Sequence, residues 1–401
     1  MTLSYWLDAH NEKVSGEVDI AIVGGGIMGA SAAFWLGKRK DLKVALLEGQ
    51  DVGCGASGRS GGLVLRGIVA YYNQAVRVYG RQTTREIFQL NEETLRHLSE
   101  LVRLHGNTFQ YEQCGSYLLA CSLEELQSLE ESAQLMSEDG FEAEYLRQDP
   151  IRRDYYGALF NPSDAGVHPV LLIKTLLDLS RVSVFERESV YRLEPLSSGG
   201  VLVHTPCRVL KCGLVLLATN AYAPLLEPWF LPKLQAVRGQ ILVTRPLKKR
   251  ILDRLCYANY GFEYFRQLAD NRLLLGGCRQ PFRLEEVGYA DMVTQPVQSA
   301  LKHYLKDRFP DVAGIAFDYR WSGTMAFTSD GLPLIGQLPE LPDVYFAVGC
   351  NGHGLGYSLS IADLLVRVAL DSADPGVFAV NRSSSFQEHV ADSSAEKSSF
   401  P

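Results

Sequence analysis

The chain has 401 residues, of which 46% are hydrophobic and 21% charged, with 36 glycines and a formal net charge of −7. That is the profile of a soluble globular enzyme rich in tight turns, long enough for two packed domains or one elaborated core. The acidic balance gives no global attraction to nucleic acid and no aromatic-basic stripe offsets it. Apolar runs such as 215–218 are strand-length, too short to span a membrane.

Residues 1–17 read as a polar N-terminal arm that Tyr5 and Trp6 could dock onto the body. Asp8, Glu12 and Glu17 interrupt any signal-peptide core, so cytoplasmic residence is the expectation. The eight cysteines are scattered without a CxxC pair or zinc-like spacing, which reads as reduced thiols and no metal site. Cys350 reads as a small apolar filler.

Residues 18–48 organise the chain. A short apolar strand runs into Gly24, Gly26 and Gly29, which fit G-x-G-x-x-G, then a helix rich in small residues, then a second apolar run ending at Glu48. Gly24 permits the turn, Gly26 leaves room for a diphosphate, and Gly29 lets the helix approach the sheet. Free N–H groups and the helix dipole suit an anion, and Glu48 suits a ribose hydroxyl. Together these predict dinucleotide binding. Residues 53–67 are also dense in glycine, which is costly to order unless backbone must approach a ligand. Here Ser57, Ser60 and Arg59 could hold phosphate or a flat ring, with Arg59 an electrostatic partner for a reduced ring.

From about 73 to 104 the apolar spacing predicts one long helix or two joined ones, ended by Gly106. Residues 111–121 read as a strand region. Ser122 caps another helix, with Glu125 where a capping-box acid would stand and Asp139-Gly140 at its end. Residues 145–168 read as irregular. Pro169 opens a helix, and His168 before it could cap that helix, stand exposed or touch a ligand. Strands follow at 182–193, 201–205 and 212–219, the last entering the turn 218–221. Residues 225–318 contain several strand candidates with a crowd of aromatics: Tyr257, Tyr260, Phe262, Tyr264 and Phe265. Tyr260 and Tyr264 could line an amine pocket by cation–π attraction or pack as ordinary sheet residues. Arg238, Arg266 and Arg279 punctuate this stretch, and any one could grip a carboxylate or form a structural ion pair. A last strand at 344–349 leads into a glycine loop and a helix from Ser358 to Asp371. His353 could contact a ligand or brace that loop, and backbone donors from Gly352 to Leu355 could stabilise negative charge. From about 381 the chain reads as a polar tail.

The set of motifs resembles the D-amino-acid-oxidase-like FAD-dependent oxidoreductases, and within them the glycine oxidase, sarcosine oxidase and gamma-glutamylputrescine oxidase branch. The resemblance covers roughly 18–380. It rests on residues 24–29, Glu48, 55–62, 218–220, 321–325, 328–333 and 352–354. It implies an α/β plus α+β fold: a GR2-like FAD-binding Rossmann domain from 18–85, 156–224 and 320–380, interleaved with a mixed-sheet substrate domain from 86–155 and 225–319. It implies FAD contacts from Gly24, Gly26, Ile27, Met28, Gly29, Glu48, Gly49, Ala56, Ser57, Arg59, Ser60, Gly61, Gly62 and Leu63. The later segments add Val190, Ala218, Thr219, Trp321, Gly323, Asp330, Gly352, His353, Gly354 and Leu355. It assigns the substrate side to Arg59, Tyr260, Tyr264, Arg266, Met325 and His353.

The implied reaction is oxidation of a primary or secondary amine by hydride transfer to flavin N5, followed by imine hydrolysis and reoxidation by oxygen or another acceptor. Polyamine-like amines, gamma-glutamylated amines and N-alkyl amino acids are the substrate classes. Two departures matter. Met325 stands where the glycine oxidase pattern has a carboxylate-gripping arginine, and Thr324 and Met325 offer no thiol for a covalent flavin link, which implies non-covalent FAD. Gly356 stands where sarcosine oxidases have a lysine, which leaves open an amino-acid dehydrogenase with a quinone or protein acceptor. A partner-dependent biosynthetic or tRNA-modifying flavoprotein is a further alternative. Nothing in the sequence specifies an oligomeric state.

Overall fold

A computed structural model of the chain describes residues 14–382 apart from residue 313. The expected N-terminal arm up to residue 13 and the expected tail from residue 383 lie outside the described residues. The chain forms two compact units. The first contains described residues up to Gly58, His168–Gln235 and Ala326 onward, and the second contains Arg59–Val167 and Ala236–Met325.

The first unit is built on a sheet in the order Leu334–Leu338, Leu341–Val348, Val209–Leu217, Val14–Val23, Val44–Leu47, Ser183–Phe185. All neighbours are parallel except the first pair. Val14–Val23 is largely exposed over its first half and continuously buried from Ile20 to Val23, as a parallel strand covered on both faces requires. The helix Ile27–Leu36 is buried at every position but Trp35, so its small residues serve packing on several sides. The Trp35 indole donates to Leu359 O (2.8 Å), fixing it to the helix Gly354–Asp371. Gly37 lies so close to the helix Pro169–Ser180 that a Cβ there would be 2.2 Å from Ser180 O.

The second unit has a mixed sheet in the order Phe317–Phe327, Gln235–Thr244, Leu273–Gly277, Glu263–Gln267, Leu255–Ala258, Ser116–Leu119, Ala158–Asn161, Glu144–Leu146. Strand alternation divides its side chains. Leu242, Phe265, Leu273 and Leu275 pack with Val297, Leu301 and Leu305 of the helix Gln295–Arg308. Ile241, Val243 and Leu274 occupy the other face with Tyr264 and Trp321.

Residues 59–85 and 156–167, expected with the nucleotide-binding sheet, group with the second unit. Leu63–Val64 pairs with Ala165–Gly166, and buried Arg66 joins Asp164 and Asn161, tying both segments to the mixed sheet. The irregular stretch 145–168 contains the strands Ala158–Asn161 and Ala165–Gly166. The helix Gln295–Arg308 lies where only strands were expected; Pro296 in its first turn and Val297, Leu301 and Leu305 at four-residue spacing were its signal. Of the one long helix or two joined ones expected from about 73 to 104, the chain forms two, Tyr72–Tyr79 and Arg81–His105, parted at Gly80 where φ is +83°. Ser122 does cap its helix, accepting from Glu125 N (3.1 Å), but Glu125 does not close a capping box. Its carboxylate instead accepts from Tyr71 Oη (2.6 Å), Cys121 N (2.6 Å) and Tyr260 N (2.8 Å).

Candidate active site

In the first unit the glycine fingerprint sits at the end of the central strand. Gly24 has φ +110° and a Cβ on it would lie 2.7 Å from Ala218 O; a Cβ on Gly29 would lie 1.9 Å from Gly24 O. A side chain at Gly29 would push the helix off the sheet, and one at Gly24 would strike the backbone that follows the neighbouring strand. Gly26 caps the helix without a side-chain hydrogen bond, and Ile27 N donates to Ser57 Oγ (2.9 Å). Met28 and Gly29 lie in the same first turn, where backbone N–H groups lack intrahelical acceptors and suit an anion. Glu48 is held by two backbone donors, Gly25 N to Oε2 (2.6 Å) and Gln50 N to Oε1 (2.9 Å), and keeps lone pairs for a hydroxyl donor. Gly49 abuts Ser189, the neighbour of Val190, so close that a Cβ would meet Ser189 Oγ at 2.7 Å. Thr219 Oγ1, just past the strand Val209–Leu217, is buried without a hydrogen-bond partner. An anion cradle, an oriented carboxylate and an orphaned hydroxyl are the donor set that a flavin dinucleotide needs.

The last glycine loop is fixed by two asparagines whose role the sequence reading did not assign. Asn220 Oδ1 accepts from Gly349 N (3.0 Å) and Cys350 N (3.3 Å), while Asn351 Oδ1 accepts from Thr328 N (2.9 Å). Both have positive φ, a conformation asparagine tolerates, which was the available signal. His353 Nδ1 donates to Asn351 O (3.1 Å), so the imidazole braces the turn that starts the helix at Gly354 beside Leu355 and Gly352. Asp330, an expected cofactor contact, forms a buried bidentate pair with Arg382 and accepts from Leu332 N (3.2 Å).

In the second unit Arg59 makes a bidentate pair with Asp291 (2.7 and 2.8 Å) and donates to Ser322 O (2.9 Å). Trp321 Nε1 donates to Arg59 O (2.8 Å), and a Cβ on Gly323 would lie 2.8 Å from Arg59 Cβ. Gly61 packs against Tyr264 and Leu63, and Ser60 Oγ accepts from Gly62 N (3.3 Å). Ala56 sits in the preceding turn, on the first unit's side of the boundary.

Arg266, read as either a carboxylate clamp or a structural partner, is held among loop carbonyls. Its guanidinium donates to Gly62 O (2.9 Å) and Val167 O (3.3 Å) and reaches Glu112 (3.4 Å), while burial lowers its pKa. Met325 lies on Gly239, whose added Cβ would meet the methionine methyl at 3.0 Å. Tyr260 has φ +53° and stacks on Tyr71 with centroids 5.1 Å apart, the turn being held by Glu125. Burial pushes the phenols of Tyr260 and Tyr264 up to about 12, so both remain neutral.

Burial also pushes Glu263 up to about 7; Asn259, Arg279 and Arg308 oppose the shift and Glu125 reinforces it, with Cys278 hydrogen-bonded to the same carboxyl. Because the native pKa is raised, the group's stabilising share is present below about pH 4 and is lost as pH rises through about 7. Glu263→Gln is therefore expected to gain stability over wild type as pH goes from about 5 to about 8, by roughly 2–3 kcal/mol in urea unfolding. An unchanged difference across that range would show that Glu263 ionises freely.

All eight cysteines are free thiols. Among the described residues, no cluster of three or more His, Cys, Asp or Glu is placed to hold a metal, and no helix is long and apolar enough to cross a membrane.

A parallel nucleotide-binding sheet with this fingerprint, joined to a separate mixed sheet, defines a dinucleotide-dependent oxidoreductase. Residues 19–368 match the family described as FAD dependent oxidoreductase (DAO). The probable oxidoreductase OrdL of Haemophilus influenzae is 27% identical over 381 residues, covering 88% of this chain and 84% of that protein. The gamma-glutamylputrescine oxidoreductase of Escherichia coli is 28% identical over 365 residues, covering 87% and 82%. The glycine oxidase structure from Geobacillus kaustophilus superposes with a TM-score of 0.75 at 23% identity, covering 92% of this chain and 99% of that one, a likeness of fold. The chain belongs to the DAO family of FAD dependent oxidoreductases, and it is an FAD-dependent enzyme similar to the glycine oxidases and the gamma-glutamylputrescine oxidoreductase.

Proposed function

We propose that the protein oxidises a primary or secondary amine, with a gamma-glutamylated amine as the leading class and oxygen as electron acceptor. The observation that carries this reading is Met325. At the position where the resemblance expects a carboxylate-gripping arginine, a thioether lies against Gly239, and methionine cannot neutralise an α-carboxylate. The likeness to the gamma-glutamylputrescine oxidoreductase supports the same substrate class. Bound FAD would supply the acceptor for hydride from the carbon next to nitrogen.

The chain's own residues would do the rest. Gly24, Gly26 and Gly29 with the first-turn N–H groups would hold the diphosphate, and Glu48 the ribose. The rings of Tyr264 and Tyr260, neutral at working pH, offer faces to an ammonium before it loses its proton. Backbone donors from Gly352 to Leu355, fixed by Asn220, Asn351 and His353, would favour negative charge beside them. Non-covalent FAD is supported by Thr324 and Met325, which lack a thiol, and by Cys350, whose thiol burial pushes to about 12 and so keeps un-nucleophilic. Acid precipitation of the holoenzyme is expected to leave the flavin in the supernatant; yellow precipitate would mean a covalent link.

The functional test is oxygen uptake with gamma-glutamylputrescine, free polyamines, N-methyl amino acids and D- and L-amino acids. Peroxide formed one-for-one with a gamma-glutamylated amine consumed is the expected result. Turnover confined to α-amino acids would overturn the reading of Met325. Turnover seen only with an artificial quinone would replace the oxidase by a dehydrogenase, the outcome that Gly356 in the sarcosine oxidase lysine position favours.

A further inference from the structure

Arg59 is held at several points along the strand Phe317–Phe327. Its carbonyl accepts from Trp321 Nε1 (2.8 Å), and its Nη1 donates to Ser322 O (2.9 Å). Gly323 has no side chain to keep it off: a Cβ there would lie 2.8 Å from Arg59 Cβ. The guanidinium fork then closes on Asp291, Nη1 to Oδ1 (2.7 Å) and Nη2 to Oδ2 (2.8 Å). Ser322 Oγ, on a buried side chain, lies 3.5 Å from Oδ1 as a third donor. The carboxylate of Asp291 thus sits in a set of donors whose own places are fixed by the strand.

Asp291 itself is held differently. The chain is anchored on either side of it. Before it, Gly288 N donates to Ala236 O (2.9 Å), and buried Glu286 accepts from Arg238 Nε (3.1 Å) and Gln240 Nε2 (3.0 Å). After it, Thr294 Oγ1 donates to Glu286 Oε1 (2.7 Å) and Thr294 N to Gln240 Oε1 (3.1 Å). Between these anchors Arg238 Nη1 reaches Ala290 O (3.3 Å), but residues 290–293 are exposed throughout and lie before the helix begins at Gln295. The Asp291 side chain is 67% exposed against 29% for Arg59. An ion pair so open to water is weak and is screened by salt. The cation is the fixed member of the pair and the carboxylate the replaceable one.

We propose that Arg59 and Ser322 form a carboxylate-binding site whose built-in occupant is Asp291, displaced when a ligand carboxylate takes the fork. A ligand carboxylate presents the same two oxygens as Asp291 and matches the same bidentate donors. After the exchange Arg59 keeps Ser322 O and its contacts with Trp321 and Gly323, so the donors need no rebuilding. Asp291 sets a threshold, because a ligand binds only to the fraction of molecules whose fork is open. The inference goes beyond the amine reading and does not depend on it: the exchange needs no oxidation, although a gamma-glutamylated amine bears such a carboxylate.

The test is calorimetric titration of the holoenzyme with butyrate and with butyramide, its uncharged isostere, together with hydrogen exchange over residues 289–293. Wild type is expected to prefer butyrate, and saturating butyrate to speed exchange in that span. Asp291→Asn, at an exposed position, is expected to bind butyrate at least about threefold more tightly and butyramide no differently, because the internal competitor has lost its charge. Arg59→Met is expected to lose the preference for butyrate. Butyrate affinity unchanged in Asp291→Asn, a preference that survives in Arg59→Met, or exchange over 289–293 that butyrate does not alter would overturn the site. If Arg59→Met does not fold, the Asp291→Asn titration decides alone. The two readings fail separately: tighter butyrate binding by Asp291→Asn in an enzyme that oxidises no amine would keep the site and remove the amine function. Amine oxidation with butyrate affinity unmoved by Asp291→Asn would do the reverse.

Discussion

Gly29→Ala is expected to yield protein that purifies with less than about a tenth of the wild-type flavin and unfolds about 3 kcal/mol or more too easily. The cause is a single methyl group. Its position is 1.9 Å from Gly24 O, inside the contact distance of any two heavy atoms, and the obstacle is backbone. Relief requires the helix Ile27–Leu36 to lift from the strand Val14–Val23, which moves the N–H groups of Met28 and Gly29 and strains the Ile27–Ser57 contact. Gly55→Ala is the control. It lies in the other glycine-rich stretch, and a Cβ there meets nothing within 4 Å. Flavin-to-protein absorbance and urea unfolding of the two variants check the prediction. Full flavin in Gly29→Ala, or equal loss in Gly55→Ala, would contradict the assigned role of the fingerprint.

Arg66→Met is expected to destabilise the fold by about 3–5 kcal/mol near pH 8, the usual cost of leaving a buried charge without its partner. Arg66 donates Nη1 to Glu92 (2.7 Å) and Nη2 to Asn161 Oδ1 (3.0 Å), and its backbone N–H donates to Asp164 (2.9 Å). Asp164 is fully buried, also accepts from Ser116 Oγ, and is pushed up to about 6 by that burial, with the Arg66 charge opposing the rise. The raised native pKa means that Asp164's stabilising share is present below about pH 4 and lost as pH rises through about 6. Removing Arg66 raises that pKa further. The cost of Arg66→Met should therefore shrink from about pH 8 to about pH 5, where Asp164 takes up a proton in the variant. Urea unfolding at the two pH values tests this, and a cost independent of pH would show that Arg66 acts through packing alone.

The nucleotide-binding half was legible in the sequence because its signals are local. Gly24, Gly29 and Glu48 answer to the same few ångströms of strand, turn and helix that their spacing encodes. Glu125 shows the limit. Three residues after Ser122 it satisfies the capping pattern, but Tyr71 and Tyr260, brought in from distant segments, offer its carboxylate better donors. The arginines were opaque for the same reason. Arg59, Arg238 and Arg266 look alike along the chain, and only tertiary partners separate them: Asp291, Glu286 and two loop carbonyls respectively. The grouping of residues 59–67 with the second unit was not legible, because it is carried by a two-residue ladder, Leu63–Val64 with Ala165–Gly166. So short a strand leaves no periodicity to read.

The measurement that tests the central claim most directly is anaerobic mixing of the holoenzyme with the amine panel while the oxidised flavin band is followed. It isolates the step in which the carbon next to nitrogen gives up its hydride and the C–N bond becomes an imine, free of any question about the acceptor. Rapid loss of the band with a gamma-glutamylated amine, and its return on admitting air, is the predicted result. A band unchanged by every amine, in protein that holds FAD and is still reduced by dithionite, would contradict amine oxidation by this enzyme.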